Sequence, residues 1–144
     1  MGYVLREGEK DAPEGLKQAL ANTNKLQDAL FSHIKPGGKG FEVYDATMAD
    51  MKNLGIEAMI YSHSVGNQGH ALGASIDFRR PTTGAPLEPP FREGSYTSIE
   101  LNTSTPVAEW GGQKVTMMME DDAYLTKDGM KWFRPRQTAF YLIH

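Results

Sequence analysis

Ser95-Tyr96-Thr97-Ser98-Ile99-Glu100-Leu101-Asn102-Thr103 is the stretch on which the fold turns. It alternates in strand fashion, with Thr97, Ile99, Leu101 and Thr103 on one side and polar or amphipathic residues on the other. That is the two-residue period of a strand lying between a core and solvent. Lys114 to Thr126 gives a second extended run, and Lys127-Asp128-Gly129 behind it is a turn. Phe133 to Ile143 supplies a last strand-like segment.

Upstream the period changes. Leu16, Ala19, Leu20, Thr23, Leu26, Ala29, Leu30 and Ile34 recur at threes and fours, which predicts an amphipathic helix to about Ser32. Asp11 is its expected cap, with Pro13 in the first turn, and Pro36-Gly37-Gly38 ends it. A second helix is expected from Gly40 to about Asn53, with Phe41, Tyr44, Met48 and Met51 on one face and Gly55 as its C-terminal cap. Ile56 to Ser62 reads as a short strand leading into a loop rich in glycine and histidine. The connection from Arg79 to Arg92 carries Pro81, Pro86, Pro89 and Pro90, so it is neither helix nor central strand. Two helices followed mostly by strands make an α+β domain rather than alternating βαβ units. No repeat or composition shift divides residues 1–144, so a single domain is expected.

Composition removes several function classes. The net charge of −3 offers no basic face for a phosphate backbone, so nucleic acid is not an expected partner. No apolar run is long enough for a membrane span and the first residues are not signal-like, which makes the cytoplasm the expected location and a membrane an unexpected partner. With no cysteine, any metal must be held by His, Asp and Glu.

Three such residues stand out: His70 in Gly69-His70-Ala71-Leu72-Gly73, Glu100 and Glu120. A lone histidine among glycines is ordinarily a loop residue. Two strand acids ordinarily face solvent on the open side of a sheet. The alternative is a cation shared by both carboxylates and an imidazole, which would offset their desolvation and mutual repulsion. Spacing alone leaves both readings open.

The run His63-Ser64-Val65-Gly66-Asn67-Gln68-Gly69-His70-Ala71-Leu72-Gly73, then Ser98-Ile99-Glu100-Leu101-Asn102, then Glu120 through Thr126 to Gly129, is similar in order and spacing to the second half of the pita-bread metallopeptidases. With Pro106-Val107-Ala108-Glu109-Trp110-Gly111, the chain most resembles the Xaa-Pro aminopeptidase and prolidase branch. The resemblance implies a partial pita-bread (creatinase/aminopeptidase-like) fold, with two helices on a curved, mainly antiparallel sheet. It implies divalent ions (Mn, Co, Zn or Fe), two of them in the complete enzyme, held here by His70, Glu100 and Glu120. Glu100, with His63 in a supporting place, would be catalytic. The reaction implied is water-mediated hydrolysis of the bond before proline, in a peptide with proline at its second position.

The family pattern also contains an aspartate pair on strands ahead of the first helix, and only the strand-like Gly2-Tyr3-Val4-Leu5 stands there. The chain is therefore expected to be the C-terminal part of a catalytic domain with an incomplete metal site, inactive by itself. Gly2 to Leu5 would be an orphan strand whose exposed edges favour homo-oligomers. Asp77 stands where a second histidine is implied, and Met118 where a basic residue is. The same fold also suits an inactive peptide-binding or protein-interaction module, or a creatinase-like member without peptidase activity.

Overall fold

The computed structural model describes residues 1–66, 73–80 and 88–144. Helix α1 (Glu14–His33) and helix α2 (Gly40–Asn53) come first after a short strand β1 (Gly2–Val4). Then follow β2 (Glu57–Ile60), β3 (His63–Ser64), β4 (Tyr96–Val107), β5 (Gln113–Thr126), β6 (Gly129–Trp132) and β7 (Tyr141–Ile143). The main sheet is antiparallel with order β2-β4-β5-β6, and β3 pairs with β4 beyond the end of β2. The expected Ile56–Ser62 strand is thus interrupted at Tyr61 and Ser62, and it resumes at His63.

Alternation places the core. Ile99, Leu101 and Val107 of β4 are fully buried and form the floor on which α1 lies through Leu20, Leu26 and Leu30. Burying one such side chain stabilises the fold by roughly 1.5–3 kcal/mol relative to exposure. Polar contacts set the helix's position along the strand. Thr23 Oγ1 shares a 2.7 Å hydrogen bond with Thr103 Oγ1, and Asn22 Nδ2 donates to Thr105 Oγ1 at 3.0 Å.

The helix termini depart in part from expectation. Asp11 does not cap α1; it accepts a hydrogen bond from the Ala12 N–H and pairs with Lys17. Pro13 holds the cap position, and the carboxylate that serves the helix start comes from Glu109, which accepts from the Gly15 N–H at 3.1 Å. Glu109 can come this close because residue 15 is glycine: a Cβ there would stand 2.6 Å from Glu109 Oε2 and 2.9 Å from Val107 Cγ1. In α2 the deepest stripe is Gly40, Val43, Thr47 and Met51, one position round from the expected face, while Tyr44 and Met48 are partly buried beside it. Its C-terminus closes as expected at Gly55, with left-handed φ of 67°. The Gly55 N–H donates to Lys52 O and the Ile56 N–H to Met51 O, which satisfies two end carbonyls.

The last segment differs most. Phe133 to Ile143 is not one strand: residues 133–140 are irregular, and β7 leaves the main sheet to pair in parallel with β1. The segment is tied down by Arg136, which donates to the Asn24 carbonyl and pairs with Asp28, and by a hydrogen bond from Asn24 Nδ2 to Gln137 O. β1 is therefore not an orphan; its partner lies at the other end of the sequence. No helix among the described residues is long and apolar enough to cross a membrane.

Candidate metal centre

In the β4–β5 ladder Glu100 lies directly opposite Glu120. Directly opposed residues point to the same face, here the one turned away from α1. The next pair on that face is Ser98 and Asp122, and His63 of β3 stands across β4 from Ser98. Two ladders thus bring an imidazole beside two glutamates. His63 Nε2 is 3.6 Å from Glu100 Oε2 and 3.8 Å from Glu120 Oε1, and donor atoms of all three residues lie within 4.8 Å of one another.

Neighbours fix these groups. Ser98 Oγ–H donates to Glu120 Oε1 at 2.9 Å, which holds that carboxylate over β4. His63 Nδ1 lies 3.1 Å from the Ser64 carbonyl oxygen. A carbonyl only accepts, so Nδ1 carries the proton in that contact, and in the neutral ring Nε2 turns a lone pair toward the carboxylates. Three electron-rich atoms facing one another repel unless a proton or a cation stands between them. At 3.6 and 3.8 Å the contacts are too long for direct hydrogen bonds, yet they suit donors that share an ion roughly 2 Å from each. Two carboxylates and one imidazole, with no thiolate, match the harder divalent ions.

Of the residues singled out from sequence, Glu100, Glu120 and His63 are brought together, while His70 lies outside the described residues. Asp77, where a second histidine was implied, is nearly buried and engaged elsewhere. Burial pushes its carboxyl up, but hydrogen bonds from the Arg79 backbone and guanidinium, with that group's charge, outweigh the effect and hold it low. Met118 is exposed on the same face as Glu120, whereas Met117 and Met119 are core residues. Trp132 stacks on Phe31 with centroids 4.1 Å apart, and Arg136 bonds α1; both serve packing. Sequence reading missed Ser98 as an orienting group, although its position two residues before Glu100 puts it on the same strand face. Beside the site, the Tyr61 hydroxyl accepts from Asn102 Nδ2 at 3.2 Å.

Comparison with known proteins bears on the family and the fold. The family model for metallopeptidase family M24 matches residues 3–127. Among solved structures, an X-Pro aminopeptidase from Thermotoga maritima is similar at a TM-score of 0.68 and 15% identity, over 92% of this chain and 35% of that one. The N-terminal domain of the FACT complex subunit SPT16 from Cicer arietinum is similar at 0.60 and 16% identity, over 84% of this chain and 29% of that one. A methionine aminopeptidase from Thermotoga maritima is similar at 0.59 and 18% identity, over 84% of this chain and 52% of that one. The chain thus spans about a third to a half of the solved proteins it resembles. No curated protein matches it.

Proposed function

The chain belongs to metallopeptidase family M24, and from that membership we propose that it forms the C-terminal part of a peptidase catalytic domain and contributes His63, Glu100 and Glu120 to a divalent-metal centre. The observation that carries this reading is the meeting of the three side chains on the open sheet face. A divalent ion held there would supply Lewis-acid activation of water and of the scissile carbonyl. Glu100 would accept the proton of the attacking water, since its carboxylate is the more sheltered of the two. Ser98 keeps Glu120 oriented, and the Ser64 carbonyl keeps the His63 Nε2 lone pair aimed at the same point. His70 would add a further imidazole, and aspartates supplied from elsewhere would complete a dinuclear site. The substrate would be a peptide with proline at its second position, cut before the proline.

The test is calorimetric titration of the chain with Mn2+ or Co2+. Saturable binding should disappear in Glu100→Ala, Glu120→Ala and His63→Ala, while the chain alone should not turn over Xaa-Pro peptides. Metal affinity indifferent to all three substitutions would defeat the proposal. The resemblance to a FACT subunit domain favours a second reading, a protein-interaction module on the same fold; it gains if no metal binds.

A further inference from the structure

The open face carries more than the acid pair. Tyr96 and Tyr124 are the opposed pair at the start of β4, on the same face as Ser98, Glu100 and Glu120. Phe133 joins them: its ring lies 5.3 Å from that of Tyr96, edge to face, and 5.0 Å from that of Tyr124. Burial against the core does not account for this cluster, because Tyr96 and Phe133 are 53% and 52% exposed. Aromatic rings gathered in mutual contact, two of them on half-exposed residues, form a ready apolar platform, and such rings dominate ligand contacts where they border polar groups. Their separation from the acids follows from strand geometry. Tyr96 precedes Glu100 by four residues, a distance of about 13 Å along the strand.

We infer that Tyr96, Tyr124 and Phe133 form a subsite for an aromatic or prolyl side chain of an extended peptide whose reacting bond lies at His63, Glu100 and Glu120. This rests on the peptidase reading above and adds a substrate class to it. An extended ligand advances about 3.3 Å per residue, so a side chain on the platform belongs to a residue about four positions from the bond at the acids. A dipeptide held at the acids cannot reach the rings. The site therefore selects peptides of about five residues or more carrying a ring at one register position. A flat hydrophobic ring stacks on the platform, whereas alanine leaves it wet.

The experiment uses the full chain in two arms. Titration with Mn2+ comes first, with Glu100→Ala as control, and reports on the metal centre alone. The second arm titrates the chain, with and without Mn2+, with alanine hexapeptides carrying a single phenylalanine or proline at successive positions, and with a dipeptide. One ring position should bind best, by about 10-fold over the all-alanine peptide. Tyr96→Ala and Phe133→Leu, the second chosen to retain apolar volume, should abolish that preference and leave Mn2+ affinity and dipeptide binding unchanged. Affinity independent of ring position, or a preference that survives both substitutions, overturns the inference. Should Mn2+ fail to bind while the ring preference persists and responds to the substitutions, the platform stands and the metal reading falls. If sedimentation instead finds a self-associated chain that Tyr96→Ala renders monomeric, with no peptide preference, the face belongs to a second copy and the inference is overturned.

Discussion

On the helix side of β4, Ile99, Leu101 and Val107 are sealed from water, whereas two residues of the opposite side, Tyr96 and Glu100, keep contact with it. The backbone is the same, and so are the ladder hydrogen bonds. What differs is the neighbour: α1 covers one face, and the other holds carboxylates, an imidazole and aromatic rings. Stability and the proposed chemistry thereby fall to alternate residues of one strand, so a substitution on either side should disturb one property and largely spare the other.

The largest expected effect lies on the sealed side. Leu101→Ala should lower unfolding stability by about 2–5 kcal/mol, because a close-packed core relaxes only partly around a cavity. Chemical denaturation measures it, and a loss close to zero would mean that α1 does not rest on β4 as described. A smaller effect is expected at the rim, where Glu109 serves the start of α1. Hydrogen bonds from its own backbone N–H and from those of Gly15 and Glu14 hold its carboxyl below the ordinary value of 4.5. A folded-state value below the unfolded one contributes stability above the unfolded value and loses it as pH falls through the folded one. Glu109→Gln should therefore melt earlier than the parent at neutral pH and alike once the parent's Glu109 carboxyl is protonated; a gap that persists in strong acid would point to packing instead. The smallest effect belongs to the open face. Without metal, Glu120→Gln relieves cross-strand repulsion with Glu100 and should leave stability unchanged or raised by about 0.2–1 kcal/mol. A marked loss there would reveal that the acid pair is structural, and the two faces would no longer separate.

Much of this arrangement was legible in the residues. The limits of α2 and its glycine cap, the strands β4 and β5 and the turn that follows β5 all follow from short-range patterns, and alternation placed Glu100 and Glu120 in strands suited to burial. Alternation could not say whether they faced a cation or only solvent. The helix-start carboxylate was misassigned, because Asp11 is adjacent in sequence while Glu109 arrives from across the sheet. Phe133 to Ile143 was misread as one strand for a similar reason: β7 is three residues long and its partner is β1, near the opposite end of the numbering.

Family membership and the placement of two acids in strands were determined by the sequence itself, since periodicity and ordered motifs are properties of neighbours along the chain. Tertiary structure brought His63 beside them and decided which carboxylate meets the first helix. It also decided that three aromatic rings share the acids' face. Those outcomes depend on strand register and on elements remote in sequence, where a shift by one residue would turn each side chain to the other side of the sheet.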